Sequence, residues 1–497
     1  MNRHVLSALV GAILAVFVFK AVSAGPLRMT GHDAVSVGQG SGELAWGHGS
    51  GVMYSNPALL VDVDQGLGFG FIFVQPFMKV ELMDRPANAD VPITFYDSDA
   101  GIAGSNLERP LPTSELRVKR HDNDVNSLNS YLGISLVESL GIDDFRFGLS
   151  VIVPAGGLMD IASQYPDERE QFFSNTVHLT RFGEWSKMIS VFMGAAYRPL
   201  DWLSLGAAAE VGLNVSASLD MYIPEATVQD FALVNVAFDA SPTARAIVGV
   251  TARPLPWLSI GLVWRDRRFS EVDADAMLNL WNYHEPGDAT VPKRVKQRHL
   301  LALDFEPQEV SLAVGARFRR MYAQAGVTWN HWSDFIDTHH NRAQQNAVWQ
   351  DGAEPNDEFA FSDTFSLSLG LGYEYLDGLS ITAGVGWRPT PVPDQVGRTN
   401  YADADLVNVA LGHRLDLALG SGVIRLDGAL QVWFMGETTV NKDPSQIKDE
   451  FADDARTLIG AQPMPEAAGL QTNNPGFPGY TFGGWALAGS VSAAYLF

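Results

Sequence analysis

The chain has 497 residues, a formal charge of −23 and no cysteine. The acidity argues against a nucleic-acid partner, because phosphate binding needs a basic surface, and the missing thiols exclude disulfides, cysteine nucleophiles and thiolate metal sites. Mean hydropathy is +0.01, and no run of about 20 apolar residues follows Gly25, so a membrane form of this chain crosses as strands.

The first 24 residues carry Arg3 and His4, then an apolar run from Val5 to Phe19, then Val22-Ser23-Ala24. This order predicts a secretory signal peptide over residues 1–24. Lys20, late in the run, leaves an N-terminal anchor helix as the alternative. Residues 25–64 hold Gly38, Gly40, Gly42, Gly47, Gly49 and Gly51, then Asn56-Pro57-Ala58, and do not read as a strand. A large barrel encloses an aqueous pore unless something fills it, so this stretch is expected to be a plug.

From residue 65 the chain alternates. In Phe145–Val153 the side chains of Phe145, Phe147, Leu149, Val151 and Val153 share one face, and Arg146, Gly148 and Ser150 the other. Strand geometry turns that pattern into a greasy face and a polar or small face. Asp405–Leu417 repeats it, with Val407, Val409, Leu411, Leu415 and Leu417 opposite Asn408, Ala410, Gly412, Arg414 and Asp416. Strands are predicted at 65–77, 128–138, 144–156, 187–200, 202–221, 245–254, 257–275, 309–318, 321–335, 363–376, 379–392, 405–417, 423–440 and 482–497. Most exceed the about 5–6 residues usual in soluble sheets. Tight turns fall near 139–143, 200–202, 254–257, 318–321, 376–379 and 418–422. Long polar connections fall near 78–127, 157–186, 222–244, 276–308, 336–362, 393–404 and 441–481. Alternating short and long connections between an even number of strands are characteristic of outer-membrane barrels. The expected fold is all-β: a transmembrane antiparallel β-barrel of about fourteen strands over 65–497, with 25–64 as an N-terminal hatch, or plug, inside the lumen.

Arg198-Pro199-Leu200-Asp201-Trp202-Leu203-Ser204 recurs as Arg253-Pro254-Leu255-Pro256-Trp257-Leu258-Ser259. The prolines suit the turns, and the tryptophans suit the membrane interface. The C-terminal stretch places Val491, Ala493, Tyr495 and Phe497 on one outward face. That ending suits a last strand read by the barrel-assembly machinery through Phe497.

Four segments resemble the FadL/TodX (OMPP1) family of outer-membrane transporters for long-chain fatty acids and aromatic hydrocarbons. They are Asn56-Pro57-Ala58, Val153-Pro154-Ala155-Gly156-Gly157-Leu158, Trp387 to Gln395 with Asn400 to Asp405, and Asn474-Pro475-Gly476 followed by Gly484 to Phe497. The resemblance implies passive transport of a hydrophobic ligand through a hatch-occluded barrel, with lateral release beside a kinked third strand. It implies that Asn56, Pro57 and Ala58 shape the hatch, or form a plain helix start. Leu44, Trp46, Met53 and Tyr54 either line an apolar pocket or pack the plug. Gly148, Pro154, Gly156 and Gly157 either relax the third strand or simply end it. A fatty carboxylate would want a lumen cation, for which Arg146, Arg414 and Arg425 are the candidates. The hatch is richer in glycine than the family pattern.

No enzyme chemistry is expected. His331, His339 and His340 match no standard metal spacing, Gly38-Gln39-Gly40-Ser41-Gly42 lacks the ending of a phosphate loop, and no nucleophile elbow is present. No metal or cofactor is expected. The expected partners are a hydrophobic small molecule, outer-membrane lipid and lipopolysaccharide, and the expected state is a monomer in the bacterial outer membrane. A water-filled general porin and an outer-membrane lipid hydrolase are the alternatives.

Overall fold

The structure, a computed structural model, describes residues 25–86, 120–156, 159–161, 176–181, 186–223, 233–283, 291–335, 360–397, 399–447, 470, 472 and 474–497. The signal peptide expected over 1–24, Gly157, His339 and His340 lie outside them.

Fourteen antiparallel strands close into one barrel. In chain order they are β1 (Gly66–Leu82), β2 (Asn129–Glu138), β3 (Phe145–Pro154), β4 (Ser190–Leu200), β5 (Leu203–Ile223), β6 (Leu233–Leu255) and β7 (Leu258–Arg265). They continue with β8 (Gln308–Phe318), β9 (Met321–His331), β10 (Thr364–Leu376), β11 (Leu379–Arg388), β12 (Leu406–Leu419), β13 (Gly422–Asn441) and β14 (Gly479–Leu496). Sequence neighbours pair, and β14 closes the ring on β1 from Gly66↔Leu496 to Leu82↔Tyr480. At one end two residues join most strands, as in Arg319-Arg320, Asp377-Gly378 and Gly420-Ser421. Arg319, Gly378 and Gly420 take φ of 53°, 76° and 61° there, the left-handed geometry that two-residue hairpins favour.

The predicted alternation sorts the side chains as expected. On β12 Val407, Val409 and Leu411 are exposed, while Leu406, Asn408 and Ala410 are buried. Exposed aromatics gather at both ends of the outer wall. Trp202, Trp257, Phe318, Tyr373 and Phe497 mark the turn end, and Phe77, Phe365, Phe434 and Trp485 the other. Phe77 and Trp485 stack with ring centroids 4.3 Å apart. Such girdles sit at the two membrane interfaces. Among the described residues no helix is long and apolar enough to cross a membrane.

Three expected connections are corrected. Much of 222–244 is strand, because β6 begins at Leu233 and pairs with Tyr222 of β5. Much of 276–308 is strand too, since Arg268–Tyr283 and Val291–Glu306 form an outer hairpin. The connection expected over 78–127 starts late, since β1 runs to Leu82 and Asn123–Val125 pairs with its outer part. These stretches carry Asp239, Pro242, Asp273, Asp275, Lys293 and Arg294. Strand that has risen above the lipid needs no greasy face, so the alternation that reveals a membrane strand is missing there.

Residues 25–64 lie within the barrel wall. Their elements are α1 (Gly25–Thr30), α2 (Ala34–Gly38), α3 (Val52–Ser55) and a 3-10 helix, Pro57–Asp62. Leu27, Val37, Val52, Ala58, Leu59 and Leu60 are fully buried. The Asp33 carboxylate accepts from the Ser36 amide at 2.8 Å, capping α2, and from the Gly51 amide at 2.7 Å, which ties the start of α3 to it. Glycines in the wall admit this segment. A Cβ at Gly206 would collide with the Pro57 backbone, one at Gly384 with Gln39, and one at Gly148 would lie 2.7 Å from the Met53 sulfur.

Candidate functional site

The lumen-facing positions of the strands divide by chemistry. On β1–β4 apolar and small residues predominate: Ile72, Tyr131, Val137, Ile152 and Phe192 pack against Leu27, Met53, Leu59 and Leu60, with Ser135 and Ser150 between them. A second apolar cluster lies toward the long-loop end, where Met78, Val80, Trp433, Met435, Tyr480 and Phe482 meet Met29 of α1 and the loop residues Val177 and Leu179. That loop segment is held by Arg181, whose guanidinium meets the buried Asp403 carboxylate at 2.7 Å. An aromatic cluster follows outside it. Phe335 and Phe361 stack at 3.8 Å, with Trp332, Phe305 and Tyr401 around them.

On β5–β8 the same lumen-facing positions end in charge. Arg245 on β6 meets Glu210 on β5 at 2.6 Å and Glu306 at 2.8 Å. Arg268 reaches Glu210 at 2.8 Å and also pairs with Glu306. Glu309 on β8 pairs with Arg265 of β7 and with Arg28 of α1. Arg265 further donates to the Tyr54 carbonyl at 2.6 Å and lies 4.0 Å over the Tyr54 ring. Burial makes such pairing obligatory, since a buried charge without a counter-ion is strongly destabilising. The network therefore ties the N-terminal segment to the wall through Arg28 and Tyr54. His32 sits at its edge, 4.0 Å from the Tyr54 ring and 5.0 Å from Phe192. Burial pushes its imidazole down to about 3, with Glu306 opposing and Arg265 assisting.

A second tie lies at the turn end. Asp62 pairs with both Arg198 and Arg253. Those two arginines open the two copies of the sequence repeat, which thus places one clamp residue at the foot of β4 and another at the foot of β6. Burial raises the Asp62 carboxyl, but its bonds and charges with Arg253 and Arg198 outweigh that and hold it below the usual range. A third tie is Gln324 of β9. It accepts from the Ala45 and Trp46 amides at 2.9 and 3.0 Å and donates to Gln39 at 2.7 Å.

The residues singled out from the sequence fall into three groups. Asn56 caps the 3-10 helix, its carbonyl oxygen accepting from Ala58 at 3.1 Å, and its amide donates to Leu44 at 2.6 Å and to Thr251 of β6 at 3.0 Å. Pro57 and Ala58 press on Gly206 and Gly249, and Leu44 on Gly261. Trp46 lies between the guanidiniums of Arg253, at 4.7 Å, and Arg317, at 5.9 Å. Met53 fills the space over Gly148 and Gly194. β3 pairs with β2 over Phe147–Pro154 and with β4 over Phe145–Ile152, both without a register shift, so Gly148 makes room for Met53 and interrupts no ladder. Pro154 ends the strand opposite Tyr131, and Gly156 is exposed beyond it. The cation candidates are engaged: Arg414 with Asp427 at 2.7 Å, Arg425 with Asp416 and Asp64 at 2.8 Å, and Arg146 with the Phe145 carbonyl at 2.8 Å. Sequence reading missed Glu210, Arg245, Arg265, Glu309 and Gln324. Their signal was present as charge and amide at lumen-facing positions of strands otherwise small or apolar on that face.

Space remains on two sides of the N-terminal segment. A cavity of about 80 Å³ separates Val35, His48 and Gly49 from small residues of β1, β2 and β14, among them Gly68, Gly70, Ser135 and Ser492. A larger one, about 260 Å³, opens at the turn end between Val35, Tyr322, Thr382, Arg414 and Asp427.

A family model described as outer membrane protein transport protein (OMPP1/FadL/TodX) matches residues 15–450. Among solved structures, the chain is similar to a FadL homologue of Pseudomonas aeruginosa, with 15% identity, TM-score 0.56, and 96% of this chain and 100% of that one covered. It is also similar to the toluene transporter TodX of P. putida, with 14% identity, TM-score 0.48, and 94% and 99% covered. The toluene transporter TbuX of Ralstonia pickettii matches at 12% identity, TM-score 0.45, with 95% and 100% covered. No curated protein sequence matches the chain. With the family matched across most of its length and fourteen strands closed into a barrel, the chain belongs to the OMPP1/FadL/TodX family of outer-membrane transport proteins.

Proposed function

We propose that this chain carries hydrophobic small molecules, long-chain fatty acids or aromatic hydrocarbons, passively across the outer membrane, and that residues 25–64 act as a hatch. The observation that carries the reading is the filled lumen: the segment is tied at Glu309, Gln324 and Asp62, and on β1–β4 it packs against Ile72, Tyr131, Val137, Ile152 and Phe192. An apolar solute is driven by burial of its surface and has no use for a wet pore. The aromatic cluster around Phe335 and Phe361 offers a first contact, and the cluster around Trp433 and Tyr480 a second. Release would go sideways, from the cavity behind Gly68, Gly70 and Ser135 through the β1–β3 wall, whose inward side chains are small there. Because the β3 ladder is continuous, release requires strands to part.

A general porin fits poorly with a lumen packed to this degree. A Ser–His–Asp group at Ser333, His331 and Asp363 gives a hydrolase little support. Ser333 and Asp363 both meet the same ring nitrogen, Nδ1, at 3.2 and 3.1 Å, and the carboxylate at the other nitrogen, the half-exposed Asp334, stays 3.5 Å from Nε2, whereas a relay needs a buried, well-bonded carboxylate opposite the serine.

The test is uptake of labelled oleate and toluene by cells that depend on this chain, beside planar-bilayer conductance of the purified protein. The intact chain is expected to take up one or both while conducting few ions. Deletion of 25–64 is expected to leave an assembled barrel that conducts steadily and no longer discriminates. Unaltered uptake and conductance in that deletion would overturn the hatch.

A further inference from the structure

We infer that the protein has an oxyanion site, suited to a carboxylate, formed by Arg388 and Asn408 in the lumen between the N-terminal segment and β8–β12. The two residues are diagonal neighbours on adjacent strands, Arg388 facing Leu406 across the ladder and Asn408 facing Gly386. Both point inward, to a cavity of about 70 Å³ whose other walls include Ser366, Ser368, Thr328 and Gly40.

Two unmet requirements define the site. Arg388 differs from the other cations in this part of the lumen. Arg28, Arg245, Arg265 and Arg268 each hold a glutamate. The polar contact of Arg388 is a long bond, 3.4 Å, to the Arg28 carbonyl, and its guanidinium lies 5.4 Å over the Trp433 ring. Among the described residues no carboxylate forms an ion pair with it. Asn408 is 0% exposed, and neither its amide nitrogen nor its carbonyl oxygen has a hydrogen-bond partner. Glycines on both sides, Gly40 and Gly386, leave the room it occupies. Buried amides are satisfied in nearly all native structures, and a guanidinium fork matches a planar oxyanion. A carboxylate in the cavity would accept from Arg388 and from the Asn408 amide together. It would also offset the excess of positive charge, for five guanidiniums here face only Glu210, Glu306 and Glu309. Water alone would satisfy the amide and leave the charge.

The carboxylate has two possible sources: a free small anion, or the head of an amphiphile whose tail rests on the Trp433–Tyr480 cluster. The second rests on the transport reading above. The probes are acetate, laurate and dodecanol, titrated calorimetrically into the full chain in a non-ionic detergent. Arg388→Gln and Asn408→Asp are compared with Arg388→Lys, and barrel assembly is checked by heat-dependent gel mobility. Binding of a carboxylate is expected to weaken about 10- to 100-fold in the first two variants and to recover partly in Arg388→Lys, while dodecanol binding stays within about twofold of the parent. Competition by acetate assigns the free anion; binding of laurate without acetate competition assigns the head group. Carboxylate binding that is equal in all assembled variants, or dodecanol binding that falls alongside it, overturns the site. Failure of laurate and dodecanol to bind, with acetate still lost in Arg388→Gln, would reject the transport reading and leave the oxyanion site standing.

Discussion

The β1–β4 side of the lumen and the β5–β12 side are built by one rule, alternate residues turned inward, and acquire different linings. On β1–β4 the inward set includes Ile72, Tyr131, Ile152 and Phe192. On β5–β8 it ends in Glu210, Arg245, Arg265 and Glu309, and on β8–β12 it runs through Ser311, Thr328, Ser366 and Asn408. The N-terminal segment lies against both. Apart from the Asp62–Arg198 ion pair at the foot of β4, its hold on the apolar side is non-directional, because burial depends on area more than on angle. Its hold on the charged half is made of ion pairs and amide bonds with fixed geometry. The two sides therefore hold the segment differently: ion pairs and amide bonds fix its position on the charged side, and apolar packing covers it on the other.

The sharpest way to break this division is to remove one carboxylate. Glu309→Ala leaves Arg265 without its buried carboxylate and Arg28 with Glu306 alone, at 3.8 Å. Stranding buried charge costs about 3–5 kcal/mol, so hydrogen exchange of residues 25–64 is expected to speed up strongly while the strands stay protected. Equal protection in the variant would mean that the apolar packing alone holds the segment.

A smaller effect is expected from steric rather than electrostatic disturbance. A Cβ at Gly206 meets the Pro57 backbone, which has no flexible end to yield, whereas one at Gly428 meets nothing within 4 Å. Gly206→Ala should therefore destabilise the hatch by about 1–3 kcal/mol, the usual range for overpacking, and Gly428→Ala should not. Thermal melts with parallel exchange measurements separate the two. Similar behaviour of both variants would show that close backbone approach is not what seats the Asn56-Pro57-Ala58 turn.

The same contrast explains what could be read from the sequence. The membrane-embedded strands were legible because lipid enforces a greasy face, and Val407, Val409 and Leu411 display it. The outer part of β6 and most of the hairpin Arg268–Glu306 were not, because nothing outside the lipid demands alternation. Among the cations, the partners of Arg414 and Arg425 were in principle within reach. The two-residue turn at Gly420-Ser421 sets Arg414 opposite Asp427 and Asp416 opposite Arg425. Sequence reading offered these arginines as candidate lumen cations from the face of each strand, without the register of the hairpin that pairs them. The network of Arg28, Arg265 and Glu309 was beyond such reasoning, since it joins α1 to strands more than 230 residues away. The repeat is plain in the sequence, but the role of its two arginines depends on Asp62, which pairs with both Arg198 and Arg253.

The seam between the halves offers the mildest test, because it can be titrated without mutation. His32 touches Phe192 on one side and faces Arg245, Arg265, Arg268 and Glu306 on the other. Burial holds its imidazole at about 3, far below the ordinary value of 6.5. A histidine depressed in the folded state takes up its proton more readily when unfolded, so its neutral form stabilises the structure above about 6.5 and that contribution is lost as pH falls toward 3. The loss amounts to at most about 1.4 kcal/mol per pH unit over this window. Asp62 works in a lower window, since its depressed carboxyl keeps its arginines until the pH drops beneath the usual aspartate range. Between pH 7 and 5 the part of the hatch near His32 is therefore expected to loosen while the Asp62 clamp holds. Hydrogen exchange should rise around α1 and α2 before it rises around Pro57–Asp62, and His32→Asn should flatten the first rise only. Simultaneous loosening of both ends, or a rise unaffected by the substitution, would place the control of the hatch elsewhere than at the junction of its two linings.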